Sequence, residues 1–194
     1  MKKDIILSGV GGQGIISIAS IIGYTALQKN LHLKQSEVHG MSQRGGAVMS
    51  NLRISDKPIA SDLIPFGKAD VIISVEPMEC LRYLPYLSPD GWLITNLKPF
   101  VNIPNYPEME AILAEIKKVK NHVILNADDI AAEIKAKRSM NTVMLGAAAP
   151  FLGFTTEDFE IGIRGIFGGK GEEIVQQNID ALNAGLKEAE KFYK

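Results

Sequence analysis

A glycine turn, GVGGQG at 9–14, separates two segments of different periodicity, and that junction constrains the fold more than any other feature of the chain. Residues 5–8 form a short, largely apolar run of the kind found in a central parallel strand. From Ile15 onward, Ile15, Ile18, Ala19, Ile22 and Ala26 follow the i, i+3, i+4, i+7 spacing of one helix face. Strand, glycine turn and helix in that order open an α/β unit. Such a turn lets backbone amides and a helix N-terminus approach an anion.

The next segments break the pattern of an ordinary dinucleotide half. Residues 31–38 and 47–54 both read as strands, but only the loop from His39 to Gly46 lies between them. A parallel crossover takes a dozen or more residues, so these strands are antiparallel or paired elsewhere in the sheet. Further strands are expected over 71–75, 91–95 and 122–126, with helices over 77–87, 108–118 and 128–137. The stretch 96–107, with three prolines and three asparagines, reads as an irregular arm. An apolar block over 143–152, a threonine-capped helix start at Thr155 to Asp158, and an amphipathic helix over 172–193 make the last third mostly helical. The expected fold is α/β: a Rossmann-like mixed sheet flanked by helices, with a β-hairpin-like departure after strand two and a helical C-terminal third. At 194 residues and 46% apolar content, the chain suits a single domain.

Composition removes several function classes. A net charge of -1 gives no global field toward nucleic acid or an anionic membrane. The apolar run at 143–152 is about half of the roughly 20 residues a membrane helix needs, and the first residues lack a signal-peptide core, so a cytoplasmic protein is expected. Cys80 is the only cysteine, which leaves neither an intrachain disulfide nor a four-thiolate cluster. His32, His39 and His122 lack the spacing of a zinc motif.

The two glycine loops carry the candidate chemistry. GVGGQG fits GxGxxG, and Glu37, 23 residues after Gly14, stands near the place of a ribose-binding acid. The residues alone leave three uses open: a dinucleotide, another anionic ligand, or a turn that merely packs helix on strand. The second loop, Glu37-Val38-His39-Gly40-Met41-Ser42-Gln43-Arg44-Gly45-Gly46, gathers an acid, an imidazole, a hydroxyl, an amide and a guanidinium. Arg44 suits a bidentate carboxylate or phosphate, or an exposed hairpin tip. Glu37 and His39 lie on one face of a strand and can pair, either structurally or for acid/base work. Ser42 lacks the GxSxG elbow of a hydrolase. Glu76 is either a crevice acid or a helix-start acid, Asn141 reads as a helix cap, and Lys170, among glycines at 168–171, either holds an anion or sits in a flexible helix linker.

Four stretches together, GVGGQGI at 9–15, SEVHGMSQRGGAV at 36–48, LIPFGKADVIISVEPMECLR at 63–82 and SMNTVMLGA at 139–147, resemble one family over nearly the whole chain. The chain is similar to the gamma-type subunits of the 2-oxoacid:ferredoxin oxidoreductases, with the beta subunits of indolepyruvate ferredoxin oxidoreductases as the nearest branch. The resemblance implies one gamma-type catalytic domain over 1–194. It also implies a non-redox subunit that assists oxidative decarboxylation of a 2-oxoacid to an acyl-coenzyme A, with electrons passed to ferredoxin. Thiamine diphosphate and iron-sulfur clusters are then expected in a larger partner subunit, and this chain alone is expected to hold neither and to be inactive by itself. Gly11, Gly12, Gln13, Gly14, Ser42, Gln43, Arg44, Gly45 and Gly46 match the family's motifs and are implied to meet coenzyme A or substrate. A free-standing NAD- or flavin-dependent Rossmann enzyme is the alternative that GxGxxG and Glu37 suggest.

Overall fold

The computed structural model describes residues 1–40 and 45–193. A six-stranded sheet runs through it in the order β2-β3-β1-β4-β5-β6. β1 (Lys2–Val10) leads through the glycine turn into α1 (Ile15–Gln28), and β2 (His32–His39) and β3 (Ala47–Ser55) follow as an antiparallel hairpin. β3 also pairs antiparallel with β1, from Lys2 opposite Ser55 to Val10 opposite Ala47. β2 therefore points the same way as β1 but lies at the sheet edge, with β3 inserted between them. The hairpin expected from the short loop is present, and it explains why no second crossover helix is needed.

On the other side of β1, the strands are parallel: β4 (Ala69–Ser74), β5 (Leu87–Asn96) and β6 (His122–Leu125). Alternation along β1 sorts the core into two layers. Ile5 and Leu7 face α1 together with α4 (Ala127–Glu133), α5 (Met140–Leu152), α6 (Thr156–Phe167) and α7 (Glu172–Tyr193). Ile6 faces α2 (Pro77–Arg82) and α3 (Met109–Ile116). All five apolar positions that predict α1 are buried.

Three boundaries differ from expectation by four residues or more, one being the helix expected over 128–137, which stops at Glu133 before Lys135 turns left-handed at φ 59°. The helix expected over 77–87 stops at Arg82, because Pro85 cannot supply an amide to continue it, and Leu84–Tyr86 instead form a 3-10 turn. β5 consequently starts at Leu87, before the expected 91, with Leu87 already opposite Ala69 and an irregularity in register between Ala69 and Val71. The capping threonine is Thr155, whose side chain accepts from the Asp158 amide while Asp158 accepts from the Thr155 amide.

The helical third is clamped by a close crossing of α5 and α7. A Cβ placed on Gly146 would lie 2.0 Å from the Leu182 carbonyl oxygen, and one on Gly185 would lie 1.9 Å from that of Val143. Among the described residues, no helix is long and apolar enough to cross a membrane.

A buried ion pair ties the first strand to the hairpin. Asp4, 1% exposed, receives Arg53 Nε at 2.7 Å and Nη2 at 3.1 Å, and Lys2 Nζ stands 2.9 Å away. Burial works to raise the Asp4 pKa, but the hydrogen bonds and charges of Arg53 and Lys2 outweigh it, so the carboxyl titrates below its ordinary value. A depressed folded-state pKa contributes stability above the unfolded value and loses it as pH falls through the folded one. Thermal melts should therefore show a loss of Tm between about pH 5 and about pH 2 that is smaller in Asp4→Asn, because the unfolded group titrates near 3.9.

Candidate functional site

The glycine turn lies at the C-terminal end of β1, the edge at which open α/β sheets usually hold ligands. Its shape is set by two contacts of Gln13: Oε1 accepts from the Val10 amide at 2.7 Å, and Nε2 donates to the Val75 carbonyl at 3.5 Å. Gly14 adopts φ 81°, a left-handed conformation that glycine reaches without steric cost, and begins α1 with no side-chain cap. The Ser17 amide closes on the Gly14 carbonyl at 3.0 Å, and the amides of Ile15 and Ile16 have no partner among the described residues.

The two glycine loops meet. Gly11 donates its amide to the Gly46 carbonyl at 2.9 Å, and Gly45 donates to Gly11 at 3.5 Å. The Gln13 amide is also committed, to Val10. Gly12 and Gly14 are the turn residues whose amides have no partner among the described residues. Ser42, Gln43 and Arg44 lie outside the described residues.

Asn141 is not a cap. Ser139 holds the cap position of α5, and Asn141, within the first turn, donates through Nδ2 to the Gly14 carbonyl at 3.2 Å. A contact spanning 127 residues has no local sequence signal. A Cβ on Gly14 would meet that Asn141 nitrogen at 2.7 Å, so a larger residue there would displace the Asn141 amide from the Gly14 carbonyl.

Beside the turn opens a cleft of about 470 Å³ that includes Gly12, Gly14, Ser17, Lys98, Lys137 and Arg138 in its wall. It shares Ser17, Lys137, Arg138 and Asn141 with a neighbouring cleft of about 700 Å³, which adds Lys135 and Lys170. Lys98 is neutralised by Asp128 at 3.1 Å. Lys135, Lys137, Arg138 and Lys170 have no ion-pair partner among the described residues, and Lys170 instead lies 5.2 Å from the Phe167 ring centroid. Sequence reasoning missed the first three. The run KAKR at 135–138, directly before an apolar helix, was the available signal.

On the other flank of the turn, Gly12, Gln13 and Gly14 also line a smaller cavity of about 290 Å³ with Ile15, Glu37 and His39. Glu37 Oε1 lies 2.5 Å from His39 Nε2, the same-face pairing that their spacing on β2 permits.

Glu76 does not line these clefts. It is fully buried, caps α2 by accepting from the Glu79 amide at 2.8 Å, and anchors the 96–107 arm by accepting from the Phe100 amide at 3.2 Å and from the Tyr106 hydroxyl. Burial, then the hydrogen bond to Glu76, pushes the Tyr106 hydroxyl pKa up. The arm returns to the site through Asn102, which donates to the Gly45 carbonyl at 2.7 Å. Cys80 is buried, and burial pushes its thiol up to about 12, so it is a packing residue rather than a nucleophile.

The sheet order weighs against a dinucleotide. The fingerprint acid belongs on a strand adjacent to β1, whereas β3 separates Glu37 from β1 and His39 occupies one of its carboxylate oxygens. A family model described as pyruvate ferredoxin/flavodoxin oxidoreductase matches residues 4–188. The chain belongs to this family. Among its oxidoreductase relatives, the indolepyruvate oxidoreductase subunit IorB of Archaeoglobus fulgidus is 35% identical over 198 residues, covering 97% of this chain and 96% of that one. The IorB subunit of Methanothermobacter thermautotrophicus is 39% identical over 164 residues, covering 81% and 83%. The fold of this oxidoreductase family recurs in a 2-oxoglutarate:ferredoxin oxidoreductase from Magnetococcus marinus, solved with 2-oxoglutarate, coenzyme A and succinyl-CoA bound. That structure has a TM-score of 0.77 at 21% identity, and the match covers 100% of this chain but 32% of the other. It recurs also in a pyruvate oxidoreductase subunit from Thermotoga maritima, with a TM-score of 0.72 at 24% identity and 96% of each chain covered.

Proposed function

We propose that the chain is the non-redox subunit of an indolepyruvate or arylpyruvate ferredoxin oxidoreductase, with 1–194 as one gamma-type catalytic domain. A larger subunit holds the thiamine diphosphate and the iron-sulfur clusters and passes electrons to ferredoxin. This chain closes over that centre and binds coenzyme A, the acyl acceptor, in the cytoplasm. One observation carries the coenzyme A assignment: four cations without ion-pair partners among the described residues surround clefts that begin at a glycine turn and an uncapped helix N-terminus. Coenzyme A is polyanionic at one end, and guanidinium, ammonium and backbone N–H groups are the donors that phosphates recruit. Gly12 and Gly14 would offer amides, Lys135, Lys137, Arg138 and Lys170 charge, and Arg44 further charge from the second loop. Gly11, Gln13, Gly45 and Gly46 would hold the turn in shape.

Tagged chain recovered anaerobically from its native cells should bring a brown, thiamine-containing partner, and a colourless chain recovered alone would overturn the assignment. In the reconstituted complex, Arg138→Glu should raise the KM for coenzyme A about tenfold, the size expected for a charge-assisted contact worth at least 1.4 kcal/mol. The KM for the 2-oxoacid should stay within about twofold. A KM for coenzyme A that does not move would place the phosphates elsewhere.

A further inference from the structure

The small cavity on the second flank of the glycine turn differs in chemistry from the cationic clefts on the first. Its walls include Val10, Ile15, Ile16 and Val48, and its polar side chains include Glu37 and His39. Two features of that pair are unexplained by packing. Glu37 Oε2 is buried and has no hydrogen-bond partner among the described residues, a costly state for a carboxylate oxygen. Glu37 Oε1 beside Nε2 favours the tautomer with its hydrogen on that nitrogen, and Nδ1 then faces no partner among the described residues. His39 is half exposed on the edge strand, so no core contact accounts for the arrangement.

We infer that His39 is the proton acceptor for the ligand's thiol and Glu37 its positioning residue. This inference rests on the coenzyme A reading given above. Phosphates on the Lys135, Lys137, Arg138 and Lys170 flank would leave the pantetheine arm to cross Gly12–Gly14 into the apolar cavity. An amide N–H of that arm is the donor that Glu37 Oε2 lacks. In the transfer, the S–H bond breaks, an N–H bond forms at His39 Nδ1, and the electron pair stays on sulfur as the thiolate that attacks the acyl carbon. The imidazolium, stabilised by the Glu37 carboxylate, then returns its proton to water at the exposed face of the ring. A free thiol holds only a few per cent thiolate at neutral pH, so a positioned base contributes on the order of 100-fold.

The test uses the reconstituted complex, with the rate of 2-oxoacid oxidation without coenzyme A as the internal reference. The ratio of coenzyme A-dependent to coenzyme A-independent rate should fall about 100-fold in His39→Gln and about tenfold in Glu37→Gln; the KM for coenzyme A should change by less than about threefold in His39→Gln and rise about tenfold in Glu37→Gln, which also loses the amide contact. Among the described residues, Glu37 is the titratable group against His39: β3 places Val48 opposite it, and the glycine turn and first turn of α1 carry no ionisable side chain. The ratio should therefore climb more steeply with pH in His39→Gln, toward the thiol's own ionisation, than in wild type. The ultraviolet absorbance of coenzyme A bound to the full chain gives a second readout: the thiolate band should appear at lower pH in wild type than in His39→Gln. Unchanged ratios and coincident thiolate titrations, with coenzyme A still bound in calorimetry, would overturn the dyad alone. Absence of calorimetric binding by the wild-type chain and complex would overturn the coenzyme A reading and this inference with it.

Discussion

Gly185→Ala should lower the stability of the chain by about 3 kcal/mol, with an unchanged denaturant slope. The added methyl would stand 1.9 Å from the Val143 carbonyl oxygen and 3.0 Å from the Ala147 amide nitrogen. These are backbone atoms within a regular helix, so neither can rotate aside as a side-chain tip would. α5 and α7 must separate, and their separation opens the core around Val143, Ala147, Ala181 and Leu182, all of which are buried. Gly146→Ala meets the same obstacle from the other helix, with Leu182 oxygen at 2.0 Å. Because both substitutions act on one crossing, the double variant should lose less than the sum of the two singles. Urea unfolding of the four chains measures this cycle; a loss under about 1 kcal/mol for either single variant would mean that the helices have room to spread.

The second large effect is expected at Glu76. Glu76→Ala removes the acceptor of the α2 cap, of the Phe100 amide and of the Tyr106 hydroxyl in one step. Each buried donor left unpaired costs about 1–3 kcal/mol, so the combined loss should reach about 3 kcal/mol and fall on the arm. Limited proteolysis should then cut within 97–105 at conditions under which the wild-type chain resists. Tyr106→Phe, which deletes one donor and leaves the other two contacts, should cost about 1 kcal/mol and give partial protection. Equal proteolysis of wild type and Glu76→Ala would show that the arm is held by other means.

The sequence made the first half of the sheet legible because its signals are local. GVGGQG lies between a strand-like run and a helix-period run, and the loop from His39 to Gly46 is too short for a crossover, so hairpin and glycine turn follow from spacing alone. The end of α2 was lost because apolar residues continue past Arg82 while Pro85 interrupts the hydrogen bonding. At the site, the Glu37–His39 pair was visible as an i, i+2 relation on one strand. The Asn141 clasp on Gly14 was not, because it joins the starts of two helices that meet only in the folded chain. Glu76 was legible as a helix-start acid, but its hold on Phe100 and Tyr106 depends on where a long arm folds back. The cations at 135–138 were a visible run whose meaning comes from the cleft beside them.

The inserted strand β3 has a consequence for how such a site can diverge. Val48 stands opposite both Gly9 and His39 in the two ladders, so the glycine turn and the imidazole are held two strand widths apart, about 9.5 Å, by backbone hydrogen bonds alone. β3 serves as a ruler whose marks are peptide units. Side chains in the loop after His39 can be exchanged, and the loop itself lengthened, without changing the distance between the glycine turn and the imidazole, which leaves loop composition and site spacing to separate parts of the chain.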